Sequence, residues 1–341
     1  MNNSVYTRST NNLKASILID KSNDTFLGRF KSIDFILIGG IDHGPDIKDL
    51  INSNFNFDLI GSLNGEFSLI IIESKCVKII TDRYNSIPIY YNLVGDNLFI
   101  SDKLNSLFYE TDGWKVNEEV FFEFLYFQKI HGSETVLKNV YKSSSASILK
   151  IDGNDISNKK YWIPTFDRIN KNTLNKNSEI LAEHLYNSVQ IKTNNISKKQ
   201  NLGIFLSGGL DTRCVLAACR NSEIQALTLG FSENGEYKTA RLLTEGNKKI
   251  DHKFIKLDKY HFSNNFHQII DFSSCSYVFD HSLFCGINYK SKYRNRFLNG
   301  YGLDFMFQGM YIPRKHFEIL GKPTYISKIR DHNFDYSLDY T

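Results

Sequence analysis

The apolar positions change their period partway along the chain. In the first half they form short runs: Phe35-Ile36-Leu37-Ile38, Phe67-Ser68-Leu69-Ile70-Ile71-Ile72, Val77-Lys78-Ile79-Ile80 and Ile89-Tyr90-Tyr91. Each is strand-length and rich in β-branched or aromatic residues. Gly61, Asn64-Gly65, Pro88 and Gly95 punctuate them. A further hairpin is expected from Ser147–Ile151 through a turn at Asp152-Gly153-Asn154 to Lys159–Trp162. The series predicts stacked antiparallel sheets. A polar stretch at 167–177 reads as a linker. Beyond it Leu181, Leu185 and Val189 recur every fourth residue, which predicts an amphipathic helix. Then come a buried-strand pattern at 202–206, a Gly-Gly turn, and a helical pattern at 210–220. A strand at 226–229, a helix at 237–248 and a strand at 253–257 follow. This alternation predicts an α/β, doubly wound parallel sheet. Domains are expected at 1–166 and 178–341, with no internal repeat.

Composition excludes several function classes. Among 341 residues, 41 Lys+Arg against 37 Asp+Glu leave a net charge of only +4, so no broad basic field marks a nucleic-acid partner. No apolar run approaches the roughly 20 residues of a membrane helix. Asn2, Asn3, Ser4, Thr7 and Arg8 leave no apolar core for a secretion signal. The five cysteines form no CxxC pair, which argues against a zinc or disulfide framework. A soluble cytoplasmic protein is expected.

The most informative segment is Leu202-Gly203-Ile204-Phe205-Leu206-Ser207-Gly208-Gly209-Leu210-Asp211-Thr212-Arg213. A buried strand delivers the chain to a Ser-Gly-Gly turn, and a helix starts at once. Without side chains at Gly208 and Gly209, backbone N–H groups can approach an anion, and the helix N-terminus adds donors. Ser207 and Thr212 offer hydroxyls to the same anion. Asp211 would repel bare phosphate but suits an oxygen ligand for Mg²⁺ that bridges to pyrophosphate. The plainer alternative is a tight strand-to-helix turn with Asp211 as a simple cap. No Walker A motif occurs in the chain.

Ser207-Gly208-Gly209-Leu210-Asp211 resembles the pyrophosphate loop of the asparagine synthetase family, whose relatives include β-lactam and carbapenam synthetases. Further segments follow in the family's order. Leu227-Thr228-Leu229-Gly230-Phe231 resembles its second strand, beside adenine. Glu236-Tyr237-Lys238-Thr239-Ala240 and His252-Lys253-Phe254 resemble its next helix and strand. Phe297-Leu298-Asn299-Gly300-Tyr301-Gly302-Leu303-Asp304 resembles its Ser-Gly-x-Gly-x-Asp signature. The resemblance implies that Leu206, Leu229 and Gly300 frame adenine. Gly300 and Gly302 can bring backbone close to nucleotide and Asp304 can join Asp211 on Mg²⁺, whereas GxGxD taken alone reads equally as a simple glycine turn. Tyr301 stands where asparagine synthetases carry an acidic residue and β-lactam synthetases a tyrosine that helps deprotonate the attacking amine. It reads equally as a structural tyrosine. Phe305 replaces the family's second acid.

Leu63-Asn64-Gly65-Glu66-Phe67-Ser68-Leu69-Ile70-Ile71, Thr81-Asp82-Arg83 and Pro88-Ile89-Tyr90-Tyr91 resemble later strands of a class II glutamine amidotransferase domain. That implies a degenerate Ntn-hydrolase-like α+β fold. Working members carry a nucleophilic cysteine next to the initiator methionine. Here Asn2 follows Met1, and the first cysteine is Cys76. His43-Gly44-Pro45-Asp46 and Asn64-Gly65-Glu66 mimic substrate-binding motifs out of register, and both read as structural. The family normally continues with a lysine-bearing helical region. Only Tyr311–Thr341 remain here, so the second domain is expected to be C-terminally truncated.

The resemblance implies an ATP-dependent, AMP-forming amide ligase that activates a small carboxylate for an amine or ammonia, using ATP and Mg²⁺ and no glutaminase. A homodimer is compatible with it. The rival readings are a β-lactam synthetase-like or other natural-product or surface-sugar amide ligase, and a nucleotide-binding homologue that has lost catalysis.

Overall fold

The computed structural model describes residues 3–20, 24–108, 115–165, 171–194, 202–219, 223–276, 283–286, 296–303, 314–319 and 322–327. The chain divides into two compact units, Met1–Lys171 with Tyr260–Asn288, and Asn172–Lys259 with Tyr289–Thr341. Residues 260–288 follow the first strands of the second unit in sequence yet pack with the first.

The first unit opens with strands β1 (Asn3–Ser9), β2 (Lys14–Asp20), β3 (Thr25–Phe30) and β4 (Ile33–His43). Short helices α1 (Ile47–Asn52) and α2 (Phe57–Gly61) lead into β5 (Asn64–Ile72), β6 (Val77–Thr81), β7 (Tyr90–Val94) and β8 (Asn97–Ser101). Helix α3 (Glu118–Phe127) precedes β9 (Tyr141–Lys142), β10 (Ser147–Asp152) and β11 (Asp155–Lys160). Two sheets result, ordered β1-β2-β8-β7-β9 and β11-β10-β6-β5-β4-β3. All their pairs are antiparallel except β2 with β8, which run parallel. That pair is the departure from the purely antiparallel expectation. A two-residue hairpin cannot join parallel strands, and here the connection passes through the second sheet.

The sheets face one another over a shared core. Alternation places Ala15, Ile17 and Ile19 of β2, Ile70 and Ile72 of β5, and Leu98 and Ile100 of β8 in one cluster. Each buried Ile or Leu among them contributes about 1.5–3 kcal/mol of hydrophobic stabilisation. On the second sheet's other face, Leu50, Phe55 and Ile60 from α1, α2 and their connection cover Phe67, Leu69 and Ile71. Asp46, from the Gly-Pro-Asp look-alike, caps α1 through the Lys48 N–H. Asn64-Gly65-Glu66 lies inside the β4–β5 ladder. The β10–β11 hairpin turns at Gly153, φ +58°, and pairs Asp152 with Asp155. A turn that tight starts the return strand at Asp155, so it ends at Lys160 rather than Trp162.

The second unit begins with helix α4 (Leu174–Asn194), within the stretch expected to be linker. The Thr173 hydroxyl accepts from the Lys176 N–H and caps it. Strand β12 (Leu202–Phe205), helix α5 (Leu210–Ala218), strand β13 (Ile224–Gly230), helix α6 (Gly235–Thr244) and strand β14 (Ile250–Lys256) follow. Helices α7 (His261–Asn264) and α8 (Phe266–Ser273) belong to the first unit, where Asn105 Nδ2 donates to Asp271 Oδ1 at 2.7 Å and the Ile130 N–H to the Ser276 carbonyl at 3.1 Å. Back in the second unit, β15 (Arg296–Leu298) precedes an antiparallel hairpin of β16 (Arg314–Ile319) and β17 (Lys322–Ser327). The main sheet is ordered β14-β13-β12-β15, with every pair parallel. Successive strands go one way from β12, and β15 joins its other side. The order therefore reverses between β12 and β15, where open α/β sheets bind ligands at the strands' carboxyl ends. Among the described residues, no helix is long and apolar enough to cross a membrane.

Candidate functional site

Ser207-Gly208-Gly209 leaves the carboxyl end of β12 at that reversal. Ile204 and Leu206 anchor the strand in a core with Val215 and Ala218 of α5 and Val189 of α4. The Leu206 N–H donates to the Leu227 carbonyl at 2.8 Å, and its carbonyl accepts from the Thr228 hydroxyl at 2.6 Å. Thr228 and Thr244 in turn flank His252, with Oγ1 to Nε2 at 2.8 Å and to Nδ1 at 3.2 Å. With the Thr228 proton directed at Leu206, the neutral tautomer that completes the bond to Thr228 is the one with its hydrogen on Nε2, which leaves Nδ1 to accept from Thr244. Burial lowers the His252 pKa, while the neighbouring Asp251 carboxylate acts in the opposite direction. This chain of hydrogen bonds ties β12, β13, β14 and α6 together immediately below the loop.

Gly208 has φ +79°, a conformation that L side chains rarely adopt. A β-carbon there would lie 2.9 Å from the Glu236 carbonyl oxygen and 3.0 Å from the Thr239 β-carbon, so the loop rests against the start of α6. Gly209 is the N-cap of α5 and supplies no capping side chain. Its N–H approaches Ser207 Oγ at 3.3 Å, and that hydroxyl lies 3.3 Å from Thr212 Oγ1. Two hydroxyls and a helix N-terminus thus gather at one point, with the first-turn carboxylate of Asp211 beside them.

The second glycine turn arrives from β15, which pairs in parallel with β12 through Leu202↔Arg296, Gly203↔Phe297 and Ile204↔Leu298. Phe297 lies over Gly203 and stacks on Phe205 at 4.7 Å. Beyond the strand, a β-carbon on Gly300 would come within 2.8 Å of the Thr212 nitrogen and 2.9 Å of the Asp211 β-carbon. The Tyr301 N–H donates to Asn299 Oδ1 at 3.0 Å, and Gly302 has φ +93°. Tyr301 is 70% exposed, unlike a core tyrosine.

The fold therefore brings Ser207, Gly208, Gly209, Asp211, Thr212 and Gly300 together. Leu206 is 1% exposed, its side chain in the core beneath the loop, and Leu229 lies half-buried near the end of β13. Asp304 lies outside the described residues. Asp211 offers hard oxygen, and no group of three or more His, Cys, Asp or Glu side chains forms a metal cluster among the described residues. That donor set suits Mg²⁺, which takes one or two carboxylates and completes its shell with phosphate and water. Sequence reasoning missed Arg213, Thr228 and His252 as supports. The only available signals were a cation in the helix's first turn and a threonine near the end of a buried strand.

Residues 53–162 match the model of a glutamine amidotransferase domain, and residues 181–327 that of asparagine synthase. A glutamine-hydrolyzing asparagine synthetase 1 of Bacillus subtilis strain 168 is 23% identical over 158 residues, covering 45% of this chain and 24% of that protein. A provisionally named glutamine-hydrolyzing asparagine synthetase 2 of Methanocaldococcus jannaschii is 25% identical over 255 residues, covering 70% of this chain and 47% of that protein. The chain spans less than half the length of either curated relative. A solved glutamine phosphoribosylpyrophosphate amidotransferase from B. subtilis aligns at 8% identity over 59% of this chain and 47% of its own, with a TM-score of 0.27, which adds nothing to the assignment. The chain carries an amidotransferase domain followed by an asparagine synthase domain, in the order the motifs require, and this pairing supports the asparagine synthetase family.

Proposed function

We propose that the chain is an ATP-dependent, AMP-forming amide ligase that activates a small carboxylate as an acyl-adenylate. The observation that carries this reading is the seating of Gly300 against Asp211 and Thr212, which brings the second glycine turn to the first. The strand order supports a doubly wound sheet with nucleotide at its reversal. Ser207, Thr212 and the N–H groups at the start of α5 would hold the departing pyrophosphate and offset charge that grows as the α-phosphorus is attacked. Gly208 and Gly302 let backbone approach, and Leu229 and Gly300 would border adenine, with Leu206 as the floor. Asp211 and Asp304 would hold Mg²⁺, which supplies positive charge to the leaving group.

Tyr301 belongs to the acceptor side of this reading. Its exposure beside Gly300 favours an amine acceptor that it helps deprotonate, as in a β-lactam synthetase-like or other specialised amide ligase. Supply of ammonia from glutamine is not part of the proposal. Within residues 1–341 the first cysteine is Cys76, 2% exposed, with its thiol pushed up to about 11 by burial and by Glu73. Such a thiol is a poor nucleophile at neutral pH.

The test is carboxylate-dependent ATP–pyrophosphate exchange across a substrate panel. Exchange should appear with the right carboxylate and vanish in Asp211→Ala. Exchange that persists in that variant removes Asp211 from the mechanism. MgATP binding without exchange on any substrate would instead favour a non-catalytic nucleotide-binding protein.

A further inference from the structure

We propose that Arg213 is a positioning residue that sets the orientation of the Gly208–Gly209 peptide, a role that rests on the nucleotide-loop reading above. Arg213 Nε donates to the Gly208 carbonyl at 2.8 Å, and its backbone N–H donates to the Gly209 carbonyl at 3.1 Å. The side chain thus holds the Gly208 carbonyl, whereas the Gly209 carbonyl takes the ordinary helical bond and a second one from the Thr212 hydroxyl at 3.1 Å. The carbonyl and N–H of a trans peptide point in opposite directions. Holding the Gly208 oxygen therefore aims the Gly209 N–H the other way, toward Ser207 Oγ and its neighbour Thr212 Oγ1.

The loop needs this restraint because a Gly-Gly peptide rotates at little steric cost. A flipped 208–209 peptide would present a carbonyl oxygen to a pyrophosphate and withdraw the donor. The packing of Gly208 against Glu236 and Thr239 fixes where the loop lies. The guanidinium fixes which way its peptide faces. Arg213 also lines a cavity of about 380 Å³ with Leu216, Ala217, Ile224 and Leu243, so a side chain of equal reach or shorter has room there.

Arg213→Gln and Arg213→Met separate the donor from the charge. Gln Nε2 stands the same number of bonds from the backbone as Arg Nε, so it keeps the donor and loses the charge. Met keeps the length and loses both. Calorimetric titration of the full chain with MgATP, and with inorganic pyrophosphate plus Mg²⁺, reads the effect, alongside thermal midpoints. Arg213→Gln should bind within about threefold of the unsubstituted protein, and Arg213→Met about tenfold more weakly. Equal weakening in both variants, or none in Arg213→Met, overturns the inference. If Arg213→Met does not fold, Arg213→Gln still decides, since a tenfold loss there overturns the donor role. Unsubstituted protein that binds neither probe refutes the nucleotide-loop reading itself, a distinct result.

Discussion

Gly300 sits so close to Asp211 that a β-carbon on it would stand 2.9 Å from the Asp211 β-carbon. Two turns far apart in sequence thus share one wall, and glycine at 300 is what lets them meet. Gly300→Ala should push the second turn off the start of α5. We expect a stability loss of about 1–3 kcal/mol, as for overpacking elsewhere, and at least a tenfold loss of MgATP affinity. Thermal midpoints and calorimetric titration check the two effects.

The two loop glycines should respond differently to alanine. Gly208 has φ +79° and backbone within 2.9 Å of its would-be β-carbon, so Gly208→Ala combines strain with a clash. A loss of about 2 kcal/mol or more is expected. At Gly209 the φ is −69° and the nearest atom is Ser207 Oγ at 3.3 Å. Gly209→Ala should cost less than about 1 kcal/mol, close to the usual Gly-to-Ala cost at an N-cap. Unfolding monitored for both variants tests the contrast.

Thr228 is 2% exposed and holds the Leu206 carbonyl at 2.6 Å. Thr228→Val keeps the shape and leaves that carbonyl and His252 without the hydroxyl. A destabilisation of about 1–3 kcal/mol follows. It should come with weaker MgATP binding, because the lost bond lies one residue before Ser207.

His252 gives the same region a pH dependence. Burial lowers its pKa from the ordinary 6.5, with Asp251 working weakly against the shift. The unfolded chain therefore takes up a proton at higher pH than the folded one. The stability tied to neutral His252 is fully present above about 6.5 and is lost as pH falls through the lowered folded value. His252→Gln, which keeps a donor toward Thr228, should flatten that part of the profile. Thermal midpoints across the acid range would show it.

The Ser207-Gly208-Gly209 loop was legible because its determinants are local: a buried strand, two glycines, and a helix that starts at once. The proximity of Gly300 was implied only by motif order, since nothing in residues 297–303 states which strand they join. β1 was missed because it is an edge strand in which Val5 and Tyr6 stand among Asn, Ser, Thr and Arg, and among the described strands it pairs with β2 alone. β2 carried a usable signal, the alternation Leu13, Ala15, Ile17, Ile19 between polar ends. Its parallel partner β8 was not legible, because register between distant strands is set by the assembled sheet. The return of residues 260–288 to the first unit rests on bonds such as Asn105 to Asp271, which no local pattern encodes. Arg213 and His252 were hidden for a related reason: their roles depend on side-chain reach in the folded chain.

Under the proposed function, Asp211 and Asp304 would serve one magnesium-bound pyrophosphate at the glycine loop. Calorimetric titration with MgATP, repeated with Mg²⁺ chelated, tests it on the full chain and on Asp211→Asn and Asp304→Asn. Mg²⁺-dependent binding that each substitution weakens at least tenfold is expected. Binding that survives both substitutions, or that ignores Mg²⁺, would contradict it.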